Sequence, residues 1–356
     1  MRRLLITLLV LFVLCGTVSA AEEPSISTEN LTEGLSDEAM ELLPENMEQD
    51  TDFWSSLGNI LASTFKKSFG SFYDGLRLCG ILLCILTLCS AIDLSANKSM
   101  ATILNLVGAL GICAAIMGSM RSMITMASEI AEDMSSYGSI LLPAMASVTA
   151  MSGGISSASA LYAGTVIFSQ LLLQLIGRLL IPMVYFYLAI ATAEAAMGSQ
   201  MLSELREFIG WLISKSLRII LYIFLAYMTI TGVISGTADA AAVKATKAAV
   251  SGMIPVVGSI LSDASESLLS GAAIMKNSVG IFGMLGVFAS CLLPILKVGM
   301  QYLLMKITAA IGGSVGLASQ VKLLKEFSKA MGYLLAMCAC SALLLLIGII
   351  CMMRVS

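Results

Sequence analysis

The chain has 356 residues, 58% of them hydrophobic and only 12% charged, with a formal net charge of −3 and a mean hydropathy of +0.93. A soluble globular domain of this length needs far more charge to cover its surface, so that class is excluded. The chain contains no histidine, which removes the commonest metal ligand, general base and proton relay together.

Residues 1–20 have the form of a cleavable secretory signal. Arg2 and Arg3 give the positive end, Leu4 to Cys15 the apolar core, and Val18-Ser19-Ala20 the small-residue cleavage site. An uncleaved first membrane helix is the other reading of the same residues. If cleavage occurs, the mature amino terminus starts outside the cytoplasm. Residues 21–52 follow as an acidic lead holding eleven of the 23 acidic side chains and no Lys or Arg. With so little apolar surface to offset ordering entropy, this lead is expected to be disordered or loosely helical. It reads either as a solvated tail or as a segment that docks to a basic partner. Over 53–76, Phe53, Trp54, Phe65, Phe69, Phe72 and Tyr73 surround Lys66 and Lys67, a mixture that suits a helix lying in a membrane interface.

Membrane spans are predicted at 77–93, 100–118, 157–177, 179–198, 217–236, 278–296, 298–317 and 333–353, each near the length that crosses ~30 Å of hydrocarbon. The first two, with their loop, form a unit over 77–137. Two shorter apolar pieces, 138–151 and 250–262, carry a proline and small residues. They fit re-entrant half-helices, or equally a kinked span or surface helix.

The sequence from 138–236 has a partner in 250–353. Pro143 and Pro182 lie 39 residues apart, as do Pro255 and Pro294, and all four are candidate helix breaks. Ala195-Ala196-Met197-Gly198 answers Ala309-Ala310-Ile311-Gly312, and Leu205-Arg206-Glu207-Phe208 answers Leu324-Lys325-Glu326-Phe327. With three spans in each unit, an odd number, a duplication implies an inverted pair related by an axis in the membrane plane. The expected fold class is therefore all-α: a polytopic helical membrane protein with two inverted three-span repeats, two preceding spans and interfacial amphipathic helices. Lys and Arg divide evenly between the two sides of this eight-span topology, so charge bias does not orient it.

Amphipathic stretches occupy matching places in the two units. Lys322, Lys325 and Lys329 share one face with Glu326, while Val321, Leu324, Phe327 and Met331 take the other, a pattern suited to membrane lipid or to a solvated connector. The counterpart at 200–216 carries Glu204, Arg206, Glu207, Lys215 and the interfacial anchor Trp211.

Within the spans the candidate pathway residues are Glu194, Lys306, Gln170 and Gln174. An ionised group at membrane depth costs several kcal/mol unless paired or wet. A Glu194–Lys306 pair across the repeat interface would lower that cost, either fixing helix register or lining a pathway. Gly283, Gly286 and Gly299 read as close-packing contacts rather than hinges. Eight cysteines lie in apolar runs, the ninth in the signal, and no CxxC pair is present, so neither a disulfide framework nor a metal site is expected. No phosphate loop, kinase set, zinc helix or nucleophile elbow appears, hence no catalytic residue or cofactor is expected.

The signal, acidic lead and multi-span body, together with Lys247-Ala248-Ala249-Val250-Ser251-Gly252-Met253-Ile254-Pro255-Val256-Val257-Gly258, resemble the stage III sporulation protein AE family. Leu261-Ser262-Asp263-Ala264-Ser265-Glu266 and Asn277-Ser278-Val279-Gly280 extend the likeness. The resemblance implies a mother-cell membrane component of a channel or feeding apparatus that links mother cell and forespore. It implies as partners other stage III sporulation membrane proteins, including an ATPase and ring-forming components, and no nucleic acid. The expected function is a non-enzymatic, permease-like core that assembles these partners and conducts small solutes. An independent secondary transporter of a small metabolite and a purely structural scaffold for a secretion-like ring are the alternatives.

Overall fold

In a computed structural model of the chain, the described residues are 35, 37–41, 53–93, 98–151, 155–253, 258–314 and 318–354, and every regular element among them is helical. The signal, Pro255 and all of the acidic lead except 35 and 37–41 lie outside these residues. The elements are α1 (Asp37–Met40), α2 (Phe53–Asp93), α3 (Lys98–Met151), α4 (Ile155–Leu175), a π turn (Ile176–Leu180), α5 (Ile181–Met197), α6 (Gln200–Met253), α7 (Gly258–Gly312) and α8 (Ala318–Arg354).

Five stretches of these residues are long and apolar enough to cross a bilayer: Ser55–Asp93, Ile103–Val148, Gly164–Met197, Val279–Gly312 and Ala318–Ile350. They are far longer than the predicted spans because expected breaks are absent. The helix passes straight through Pro143 in α3 and Pro294 in α7. Proline deletes one hydrogen bond, and long apolar flanks packed on neighbours keep such a helix continuous. At Pro182 the accommodation is visible. Ile181 donates its backbone N–H to Ile176 O, five residues back, so the π turn absorbs the discontinuity immediately before the residue without a donor. The expected spans 157–177 and 179–198 thus fall within one helical rod, and 278–296 and 298–317 within another. Likewise 53–76 continues into 77–93 as α2, and the expected loop 119–137 belongs to α3.

This merging changes the parity on which the inversion rested. Each unit contributes a hairpin of two rods, α4–α5 with α6 and α7 with α8, and an even count keeps both hairpins the same way up. The contacts agree. Ser319 Oγ donates to Ala195 O at 2.9 Å, which brings the start of α8 to the end of α5. Arg206 in α6 reaches Glu326 in α8 at 2.7 Å, and one helical turn further on a Cβ at Gly210 would lie 2.7 Å from the Tyr333 hydroxyl. The helices α6 and α8 therefore run side by side in one direction, and both hairpin turns meet at one end of the bundle. The expectation of an inverted pair is corrected to a co-oriented one.

The core lies where α3, α7 and α8 pack together, with α2 against α7, α4 against α3 and α6, and α5 against α3, α6 and α8. Tyr137, Leu141 and Leu142 of α3 are buried against it with Leu334, Met337 and Leu345 of α8. Between α3 and α7 the approach depends on small residues. A Cβ at Gly283 would lie 2.7 Å from Leu141 Cδ2, and one at Gly286 would collide with the Tyr137 ring. Both act as packing contacts, as the sequence suggests. Within the acidic lead, Leu35 and Ala39 are buried, and Glu41 meets Lys67 of α2 at 2.5 Å. At least this part of the lead docks on its own chain.

Candidate functional site: a buried ion cluster at the hairpin turns

The turn from α5 to α6 is set by Gly198. Its φ of 65° is left-handed, a backbone open to glycine at little cost, and its N–H closes the helix on Glu194 O at 2.8 Å. The chain reverses within two residues, which carries Arg206 back alongside Glu194. The end of α7 is closed in a related way, Gly313 N–H reaching Ala309 O at 3.1 Å. The paired motifs Ala195–Gly198 and Ala309–Gly312 therefore both end a rod, and both LxEF motifs lie early in the rod that follows.

Arg206 is the centre of the cluster and only 2% exposed. Its Nε donates to Glu194 Oε2 at 2.6 Å, its Nη1 meets Glu326 Oε2 at 2.7 Å, and its Nη2 donates to Ser203 Oγ at 3.4 Å. Lys322 Nζ lies 2.6 Å from the other oxygen of Glu194, and Lys329 Nζ donates to Glu326 Oε1 at 3.0 Å. The Tyr187 hydroxyl donates to Glu326 Oε2, while its ring lies 6.0 Å beneath the guanidinium and packs edge-on to Tyr333. Glu207 at the rim meets Arg206 at 3.7 Å. Each buried carboxylate thus has two cationic partners, the arrangement that makes buried charge tolerable. Burial alone would lower the pKa of Arg206, but its bonds to Glu194 and Tyr187 and the charge of Glu326 outweigh that, so it is held above its already high ordinary value.

Beside the cluster is a cavity of about 410 Å³. Glu194 and Ala195 of α5, Gly198 and Ser199 of the turn, Gln200 and Ser203 at the start of α6, and Ser319 and Lys322 at the start of α8 all line it. Met197 and Met201, on either side of the turn, are exposed, and so is the stacked pair Phe208–Trp211 of α6.

The residues expected to line a pathway are separated. Glu194 belongs to the cluster, but Lys306 does not pair with it. Lys306 points outward and donates to Tyr302 one turn away at 3.2 Å, its ammonium 5.4 Å from that ring. Glu194 is satisfied by nearer cations, so the register argument for Lys306 fails. Gln170 exchanges two hydrogen bonds with Ser135 of α3, through Ser135 Oγ at 2.6 Å and Ser135 O at 3.1 Å, and Gln174 is exposed. Lys322, Lys325 and Lys329 do form an exposed face on α8 above buried Val321, Leu324, Phe327 and Met331. Glu326, assigned to that face from sequence, is instead turned inward. Arg206 and Tyr187 were not singled out for the site. The available signal was the Gly198 turn, which brings a cation twelve residues away back to an in-span carboxylate. Among the described residues, Cys79, Cys84, Cys89, Cys113, Cys291, Cys338 and Cys340 are free thiols, and no group of three His, Cys, Asp or Glu is arranged to hold a metal.

Comparison with known proteins supplies the remaining information. The sequence profile of the family described as Stage III sporulation protein AE matches residues 39–356. The chain is also similar to "Stage III sporulation protein AE" of Bacillus subtilis (strain 168), with 24% identity over 226 residues, 64% of this chain and 57% of that relative. The match thus spans a little over half the length of the relative. No solved structure matches the chain.

Proposed function

Because the chain belongs to the stage III sporulation protein AE family, we propose that it is a non-enzymatic assembly component of a channel or feeding apparatus between mother cell and forespore. It is a multi-pass membrane protein of a sporulation family, and the observation that carries the proposal is that family match over a chain with five apolar, membrane-length helical stretches. Its place is the mother-cell membrane, with the mature amino terminus outside the cytoplasm. Its partners are other stage III sporulation membrane proteins, including an ATPase and ring-forming components.

The geometry supports assembly over conduction. The buried charged groups Glu194, Arg206 and Glu326 are paired with one another and with Lys322 and Lys329, and this ion cluster locks the co-oriented hairpins together, as suits a rigid scaffold. Passage of small solutes is the second reading, and the half-open cavity of about 410 Å³ beside the ion cluster favours it. The test is purification of the tagged full-length chain from sporulating cells in mild detergent. Co-purification of the ATPase and ring components, lost when the ion cluster is disrupted and kept when Lys306 is changed, is expected. A chain that purifies alone and supports sporulation with the cluster disrupted overturns the reading. Solute flux through liposomes carrying the purified chain alone would favour the second one.

A further inference from the structure

We propose that copies of this chain associate head-to-tail in the membrane, the outward face of α6 in one copy docking on the outward face of α3 in the next. The inference goes beyond the assembly reading and does not depend on it.

The two helices carry the same spacing of charge with opposite sign. On α3, Arg121 is followed eight residues later by Glu129, and Glu132 comes three residues after that. On α6, Glu207 is followed at the same intervals by Lys215 and Arg218. All six side chains are exposed. Among the described residues, the one ion pair that any of them makes is the 3.7 Å contact of Glu207 with Arg206. The shortage of partners matters most on α3, where the charges interrupt the apolar stretch Ile103–Val148. Charge at membrane depth is costly unless it is paired or wet. Nearer the start of α3 the same outward stripe is apolar, with Ile103, Leu110 and Met117 exposed.

The uncharged positions of the two stripes fit as well. In the register that pairs the charges, Phe208 falls opposite Ser122, Trp211 opposite Thr125 and Tyr222 opposite Ser136, all of them exposed. Each ring thus meets a small hydroxyl side chain, and small residues let membrane helices approach closely.

The fold presents these stripes in the way a second copy requires. Both α3 and α6 pack against α4, α5, α7 and α8, so their outward stripes lie on separate sides of the bundle. Thr192 of α5 meets Cys113 of α3 at 3.7 Å, and Glu194, two residues on, holds Arg206 of α6. Further from the hairpin turns, Gln170 of α4 meets Ser135 of α3, and Phe168 stacks on Tyr227 of α6. The two helices therefore run in the same direction, and a neighbour inserted the same way up keeps them parallel. Counted at 1.5 Å per residue from these contacts, the α6 charges stand ~6–13 Å nearer the turns than their α3 counterparts. A tilt of ~20°, ordinary for membrane helices, takes up such a step between neighbours. One face meets a different face, so the contact is heterologous.

The test uses the full-length chain in a cysteine-free background, reconstituted in liposomes as two differently tagged copies. With Ser122→Cys in one copy and Phe208→Cys in the other, oxidation is expected to give a cross-linked product carrying both tags. Glu129→Lys with Glu132→Lys in the first copy should lower the yield by about tenfold or more, since like charges then face each other. Lys215→Glu with Arg218→Glu in the second copy should restore it. Thr125→Trp, which fills the space left for Trp211 without changing charge, should also block the product and decides the matter where a reversed copy fails to fold. Leu343→Cys on the exposed face of α8, used in place of Phe208→Cys, should give none. Absence of the mixed product, an equal product from Leu343→Cys, or no restoration between folded reversed copies overturns the interface. Cross-linking of Ser122→Cys to itself would show a symmetric contact and overturns it too. No sporulation partner is present in the liposomes, so any of these failures leaves the assembly reading standing.

Discussion

Arg206 of α6 and Glu326 of α8 are joined at 2.7 Å while exposing 2% and 7% of their side chains, so a single buried contact ties one hairpin to the other. The pair is not isolated. Arg206 also holds Glu194, and through it Lys322, so one guanidinium bridges two carboxylates from two different helices.

Removing that guanidinium is therefore a sharp test of the cluster. Arg206→Ala leaves two buried carboxylates short of a partner, and breaking a buried pair in this way costs ~3–5 kcal/mol. Lys325→Ala on the exposed face should change stability by no more than about 0.5 kcal/mol. Denaturant unfolding of both variants in micelles, followed by helical signal, gives the comparison. Similar midpoints for the two would mean that the cluster is wet and weak.

The direction of the hairpins has its own test. In a cysteine-free background, single cysteines at Met201 and Lys325 lie beyond the two turns on exposed positions. Both should react with a membrane-impermeant thiol reagent from the same side of the membrane. An inverted pair would place them on opposite sides, and that labelling pattern would refute the arrangement described here.

Much of this architecture is legible in the sequence, and the errors have one physical source. Composition alone gives an all-helical membrane body, and the Ala-Ala-x-Gly and LxEF pairs correctly mark where rods end and new rods begin. Treating Pro182 and Pro294 as ends of spans divided two rods into four. A proline costs one backbone hydrogen bond, and whether the chain turns there depends on neighbours that a local pattern does not reveal. From that division followed an odd span count and the inversion. The site was half visible for a related reason. Glu194 stands out as a charge in an apolar span, but its partners are chosen by how tightly Gly198 folds the chain back, so the nearer Arg206 displaced the more distant Lys306.

The close approach of α3 and α7 can be probed through Gly286. A methyl group there would meet the Tyr137 ring, which is fully buried. Gly286→Ala is expected to destabilise by ~1–3 kcal/mol through overpacking. Combining it with Tyr137→Leu should restore part of that loss, because the smaller side chain frees the space the methyl needs. A double-mutant cycle with no coupling would show that the two residues do not share the contact.

Gln320 gives the opposite sign. It is fully buried at the start of α8, and neither its amide nitrogen nor its amide oxygen has a hydrogen-bond partner. Its amide lies where a side chain at Gly108 would have to be, so α3 approaches it only because that position is glycine. A buried polar group without a partner costs roughly 1–3 kcal/mol, and Met has nearly the same shape without the amide. Gln320→Met is therefore expected to raise the unfolding midpoint while leaving the Arg206 cluster intact. Thermal unfolding of the two proteins in the same detergent decides it. A lower midpoint for the variant would mean that the amide makes a stabilising interaction, and that the start of α8 is held by polar contacts as well as by packing.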